Sequence, residues 1–123
     1  HASKITDVVI DTLEEGEKDF ILLNYANCDL VGHTGELDAA ITAVETVDRN
    51  IGKLAEKVRD TDYEMLITAD NGNCEDMGNE EQPNTSHTLN QVPLIHVGGE
   101  KHKEMEGLVD VKSFISNLLQ LQQ

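Results

Sequence analysis

Apolar positions along this chain keep one of two rhythms, and the switches between them mark out its elements. Ile5, Val8, Val9 and Leu13 hold helical spacing from Ile5 to Glu15, with Thr6 and Asp7 near the start and Gly16 as the stop. Phe20 to Leu23 is short and uniformly apolar, which predicts a buried strand rather than a surface helix. The longest pattern is Leu37, Ala40, Ile41, Val44, Val47, Ile51, Leu54 and Val58, at three- and four-residue steps. Asp38, Glu45, Asp48, Arg49, Lys53, Glu56 and Lys57 occupy much of the remaining surface. An amphipathic helix on a sheet follows, its stripe given to core, ending near Asp60-Thr61-Asp62. Met65 to Thr68 and Val92 to Val97 read as strands; Pro93 is tolerable near the start of the second, and Gly98-Gly99 end it. Val109 to Leu121 returns to helical spacing through Val111, Phe114, Ile115, Leu118 and Leu119. The order strand, helix, strand from Phe20 to Thr68 predicts a parallel βαβ unit. The expected fold class is α/β, a layered and mainly parallel sheet flanked by helices.

Length adds one bound: 123 residues support a single domain with one core, spanning residues 1–123, and no repeat, low-complexity tract or interior linker divides them. Charge adds another. Twenty-four acidic against nine basic residues give a net charge of -15, with the Asp and Glu dispersed. This excludes nucleic acid, anionic membrane or any polyanion held by charge alone, and describes an acidic cytosolic surface. No apolar run approaches the ~20 residues of a membrane span. The opening His1-Ala2-Ser3-Lys4 carries no hydrophobic region of a signal peptide, so the expected location is cytoplasmic.

Chemistry concentrates where strands give way to polar turns. After Phe20–Leu23 comes Asn24-Tyr25-Ala26-Asn27-Cys28-Asp29-Leu30-Val31-Gly32-His33-Thr34-Gly35. Asp29 and His33 are four residues apart, so one turn of chain can aim a carboxylate and an imidazole at one point. A hard or borderline divalent cation takes that mixture of donors. Gly32 and Gly35 let the backbone turn tightly there. Asp-x3-His alone is a weak signal, but two further polar clusters join it: Asp70-Asn71-Gly72-Asn73 after the Met65 strand, and Thr85-Ser86-His87-Thr88 after an exposed Gly78–Ser86 loop. Ligand sites of open α/β sheets collect at the carboxyl ends of strands. Asp29, His33, Asp70 and His87 are therefore the metal-site candidates. Cys28 and Cys74 lie beside them, but thiolate zinc sites use cysteines paired at short spacing, and two reduced thiols are the better reading. His96 and His102 receive no role. Glu75 and Asp76 read as a solvated loop face, and Asn27 and Thr34 as groups that could orient ligands.

Together, NYANCDLVGHTG, ITADNGNCEDM and SHTLNQVPLI resemble the C-terminal part of the cofactor-independent (2,3-bisphosphoglycerate-independent) phosphoglycerate mutases of the alkaline phosphatase superfamily. The motifs occur in the family's order and the match runs from about Ser3 to about Val97, with the segment from Gly98 onward matching poorly. The resemblance implies a phosphatase-like domain in which two Mn²⁺ ions, with Mg²⁺, Co²⁺ or Zn²⁺ as alternatives, surround a serine nucleophile. It implies interconversion of 3- and 2-phosphoglycerate through a phosphoserine, in glycolysis and gluconeogenesis. Carried over by motif, Asp29, His33 and His87 bind one ion, and Asp70 with Asn71 the second.

Asn71 departs from the pattern, since the family usually has His there; an amide oxygen is neutral and a poorer donor than imidazole for softer ions. The family likewise commonly has Pro and Ala where this chain has Cys28 and Cys74. The family enzyme is also several times longer. Its nucleophile and substrate-holding arginines have no counterpart here, because none of Ser3, Ser86, Ser113 and Ser116 matches the nucleophile motif. The resemblance thus implies a fragment with about half of an active site, inactive alone, able to self-associate through uncovered surfaces. Two other readings compete. One is another phosphomutase or phosphatase of the same superfamily; the other is a non-catalytic metal-binding module that kept the scaffold.

Overall fold

The computed structural model describes residues 1–99 and 109–120. In chain order these form helix α1 (Ala2–Glu15), helix α2 (Asn27–Gly32), helix α3 (Leu37–Arg59), strands β1 (Met65–Thr68) and β2 (Leu94–Val97), and helix α4 (Val109–Leu118). His102 and Leu121 fall outside the described residues.

Leu54 and Val58 on α3 and Leu13 on α1 make the buried core, and the two helices pack along each other. Val9 and Ile10 of α1, Met65 of β1 and Val97 of β2 close over it, together with Ile21, Leu23 and Tyr25 from the segment after α1. One polar contact is locked into this packing. Thr6 is fully buried; its hydroxyl donates to the Ala2 carbonyl at 2.8 Å, and its oxygen lies 2.5 Å from the Tyr25 hydroxyl. A threonine has one hydroxyl proton, so Tyr25 is the donor of the second bond. That bond ties α1 to the chain running into α2.

The described residues form a mixed helical and β structure whose sheet is smaller than expected and runs the other way. β1 and β2 pair antiparallel, with Met65 opposite Val97 and Thr68 opposite Leu94. A parallel pair needs a crossover element to return the chain to the same end. The chain between β1 and β2 contains turns and isolated bridges but no helix, so it comes back reversed. Phe20–Leu23, expected as the first strand of a parallel unit, has no ladder partner among the described residues. It is extended all the same: Ile21, Leu23 and Tyr25 face the core while Phe20 and Leu22 face out, Leu22 being 84% exposed. Its two apolar faces carried the signal for a central strand, but only one of them is covered.

The stripe of α3 also divides. Its C-terminal half, Leu54 and Val58, is core as expected, whereas Leu37, Ile41 and Val44 are exposed, although α2 packs on this helix. α4 meets the sheet through Phe114, whose ring lies edge-on to His96 at 5.6 Å; His96 in turn is 2.9 Å from the Glu64 carboxylate. The Lys57–Glu14 ion pair at 2.7 Å links α3 to α1 at the surface, where such pairs contribute little.

Replacing Leu54 by Ala opens a cavity between α1 and α3 and should cost about 2–5 kcal/mol. Tyr25→Phe removes one hydrogen bond while Thr6 keeps its bond to Ala2, and should cost about 1 kcal/mol. Urea unfolding of the two variants checks the ranking; equal losses would mean that Leu54 is not at the centre of the core.

Candidate metal centre

The chain bearing Asp29 and His33 folds as the short helix α2 rather than an open turn, with His33 at its C-terminal cap. Four-residue spacing on a helix puts both side chains on one face. His87 arrives from the loop between β1 and β2. The three functional groups converge: the Asp29 Oδ1 atom lies 2.8 Å from His87 Nε2 and 3.3 Å from His33 Nε2, and the two Nε2 atoms are 3.2 Å apart. Their side chains are about half exposed, so the cluster opens directly to solvent.

Hydrogen-bond roles can be assigned from the partners. His33 Nδ1 lies 2.7 Å from the Thr85 carbonyl oxygen, which can only accept, so Nδ1 carries the proton and Nε2 of the neutral ring presents its lone pair. Asp29 is held below the usual carboxylate range, chiefly by its hydrogen bond with His87, which outweighs the opposing effect of desolvation; electrostatic attraction from the two imidazoles adds less. It is therefore an ionised acceptor, and His87 Nε2 is the donor facing it. Two electron-rich atoms, Asp29 Oδ1 and His33 Nε2, thus face each other with a single proton nearby.

The donor set fits a divalent cation. Donor atoms about 2.1 Å from a common ion lie about 3.0 Å apart in octahedral geometry and about 3.4 Å apart in tetrahedral geometry. The three separations here, 2.8, 3.2 and 3.3 Å, lie close to that range. The Thr85 carbonyl behind His33 supplies the outer hydrogen bond that ligating imidazoles generally have. Among the described residues this is the cluster of His, Cys, Asp and Glu whose donor atoms gather closely enough to share an ion.

Asp70 and Asn71 are not brought into it. They follow β1 in an exposed turn, where the Asn71 amide donates to Asp70 Oδ1 at 3.0 Å. Nor do the cysteines join. Cys74 Sγ donates to the Cys28 carbonyl at 3.0 Å, and burial foremost pushes both thiols up, so they remain protonated and poor ligands at neutral pH. Thr34, read as an orienting group, bonds instead to the Val31 carbonyl and the Glu36 amide, finishing α2.

Sequence reasoning missed the residues that frame the site. Asn73 is buried against Gly32, where any Cβ would overlap its amide, and its Nδ2 reaches toward the Asp29 carbonyl at 3.5 Å. Its Oδ1 accepts no hydrogen bond among the described residues. Glu75, expected on a solvated loop face, is exposed yet fully engaged. Its carboxylate accepts from the Thr88 hydroxyl, from Asn90 Nδ2 at 3.1 Å and from the Asn73 backbone amide at 2.6 Å. These bonds, the Thr88 hydroxyl first, pull it down to about 2. Gly72 sits where the two loops touch; a Cβ there would overlap both Thr88 and Glu75. Read back, the signal was Gly72-Asn73 itself, since a glycine at a polar turn also marks close approach of another segment.

Comparison with known proteins places the chain in a family of metalloenzymes. The profile of the Metalloenzyme superfamily matches residues 1–123. The chain is 46% identical to the 2,3-bisphosphoglycerate-independent phosphoglycerate mutase of Cellvibrio japonicus over 126 residues, covering 99% of this chain and 24% of that protein. It is 48% identical to the enzyme of the same name from Halobacterium salinarum, covering 76% of this chain and 18% of that one. The corresponding figures for Clostridium novyi are 46%, 88% and 22%. The likeness to the first of these runs past Val97, where the motifs alone had suggested it stops. The chain spans about a quarter or less of the length of the curated relatives it matches. With its whole length under one family profile, and three donors of the right kinds at one point, the chain belongs to the metalloenzyme superfamily.

Proposed function

We propose that this chain is the metal-binding segment of a phosphoglycerate mutase that works without 2,3-bisphosphoglycerate, interconverting 3- and 2-phosphoglycerate in the cytoplasm as a step of glycolysis and gluconeogenesis. The observation that carries the reading is the convergence of Asp29, His33 and His87, in a chain 42–48% identical to proteins bearing that name. In this reading the three residues hold one divalent cation, and Asp70 with Asn71 contributes to a second. Mn²⁺ is the proposed ion, because a carboxylate with two imidazoles suits a borderline cation, and Mg²⁺, Co²⁺ and Zn²⁺ are the alternatives. Such ions, when bound, neutralise the charge of a transferring phosphoryl group and lower the pKa of a nucleophilic hydroxyl.

The chain's own residues prepare that chemistry. Asp29 supplies the negative charge, kept ionised by His87. His33 supplies a lone pair whose direction is set by Thr85, and α2 keeps the two groups on one face. Ser86 is beside His87 in sequence, but its backbone amide is engaged by Asn84 Oδ1 in a turn, which supports its reading as a loop residue. The serine nucleophile, the phosphoserine and the groups that hold substrate belong, in this proposal, to other parts of a longer polypeptide. Those parts would also pair with Phe20–Leu23, giving the extended run its place in a layered, mainly parallel sheet. A non-catalytic metal-binding module is the second reading, favoured by Asn71 standing where the resembled family usually has His and by the lack of a serine matching the nucleophile motif. No described helix is long and apolar enough to cross a membrane.

Three outcomes follow. In calorimetry the chain should bind Mn²⁺, more weakly as pH falls because a protonated imidazole has no lone pair to offer. His33→Ala should lose most of that affinity, and equal binding would remove His33 from the site. The purified chain should show no turnover of phosphoglycerate with Mn²⁺, since groups that act as a catalytic unit fail together. Mixed with the remaining three quarters of the Cellvibrio enzyme, made as a separate polypeptide, it should regain some turnover, and Asn71→His should raise it. Mn²⁺ binding without any turnover in the mixture would favour the non-catalytic module. Finally, the outward Phe20, Leu22, Leu37, Ile41 and Val44 should drive self-association at micromolar concentration. A monomer in sedimentation would show that these faces need no cover.

A further inference from the structure

Glu75 stands outside the ligand set, yet it joins the two segments that carry the ligands. One carboxylate oxygen, Oε1, accepts from the Thr88 hydroxyl and from Asn90 Nδ2 at 3.1 Å, so both bonds land in the loop that presents His87. The other, Oε2, accepts from the backbone amide of Asn73 at 2.6 Å. Asn73 is buried under Gly32 of α2 and reaches toward the Asp29 carbonyl. A chain of direct contacts therefore runs from the residue after His87, through Glu75 and Asn73, to Asp29. The bond of the Thr85 carbonyl to His33 holds the His87 segment on one side, and a backbone bond from the Thr88 amide to the Gly72 carbonyl at 2.8 Å together with Glu75 holds it on the other.

The pattern of bonding is unusual for an exposed carboxylate. A solvated glutamate gains little by giving up water for protein donors, whereas Glu75 takes three of them, and Gly72 is left without a side chain so that its partners can approach. Asn73, which it grips, is itself buried against Gly32 of α2, so the turn is held from both sides. Both features make sense if the turn is shaped to hold something in place.

We propose that Glu75 is a positioning residue that fixes His87 relative to Asp29 and His33, so that the three donors stand at ion-binding separations before an ion arrives. The inference rests on the reading of these three residues as a metal site, and it adds the group that sets their spacing. Outer hydrogen-bond partners of this kind typically change metal affinity by about ten- to a hundredfold when lost.

Mn²⁺ titration of the whole chain, followed by calorimetry, tests it with four variants. His87→Ala should abolish the measured binding. Glu75→Gln, which keeps shape but puts an NH₂ group where one acceptor oxygen was, should weaken binding about ten- to a hundredfold. Thr88→Val should do the same, and Thr88→Ser, which restores the hydroxyl, should bring affinity back to within about threefold of the starting chain. Glu75→Gln should also lower the urea midpoint of the metal-free protein, because it loses hydrogen bonds that only the folded chain makes, so the affinities are compared without urea, where circular dichroism shows both chains folded. If Glu75→Gln and Thr88→Val bind Mn²⁺ as tightly as the unmodified chain while His87→Ala does not bind, Glu75 has no positioning role although the metal site stands. If His87→Ala binds as well as the unmodified chain, the metal site is elsewhere and the inference falls with it. Should Thr88→Val fail to fold, Glu75→Gln alone decides.

Discussion

The separation of the three donor atoms depends on how closely α2 can approach the turn after β1, and that distance is set by Gly32 against Asn73. At this contact a helix backbone rests directly on a buried amide, with no side chain from the helix between them. A methyl group at position 32 would push the Asn73 turn away, and Glu75, Thr88 and His87 are attached to that turn. Asp29 and His33 ride on the other side of the same contact. Core packing at Leu13, Leu54 and Val58 decides that the chain folds; the close approach of Gly32 and Asn73 decides where the site's two halves meet. Interiors transmit such displacements because they are packed without slack.

What could be read from the sequence was whatever a local period or a short motif carries. α1, α3, α4, β1 and β2 were legible because apolar residues mark each of them, although β2 starts at Leu94 rather than Val92. Asp29, His33 and His87 were legible because the motifs around them are specific, and the structure brings those three side chains together. The direction of strand pairing was not, since it depends on the path of an irregular connection with no periodic signal. Phe20–Leu23 misled for a related reason. A run that is apolar on both faces says that both will be covered, but says nothing of what covers them or whether the cover lies in the same stretch of chain. Glu75 was illegible because acidic residues in polar loops are usually solvated, and its three donors come from positions two, thirteen and fifteen residues away.

α3 serves two surfaces with one stripe. Near its C-terminal end, Leu54 and Val58 meet α1 and the sheet, and this is where stability resides. Nearer its start α2 packs on it, yet Leu37, Ile41 and Val44 stay open to solvent. They lie with Ala40, Glu45 and Cys74 around a shallow apolar hollow of about 180 Å³. The helix thus connects the well-packed end of the molecule to the end that carries Asp29 and His33, and the latter has the thinner apolar support. A site built this way owes its shape more to hydrogen bonds between loops than to burial.

The bond from His33 to the Thr85 carbonyl decides more than the direction of a ring. By holding the ring proton on Nδ1, it leaves the Nε2 lone pair facing Asp29 and His87. His87 is differently placed: its Nε2 proton points at the Asp29 carboxylate. A single hydrogen thus sits among the three groups, and the closure of the cluster rests on that one shared proton rather than on burial.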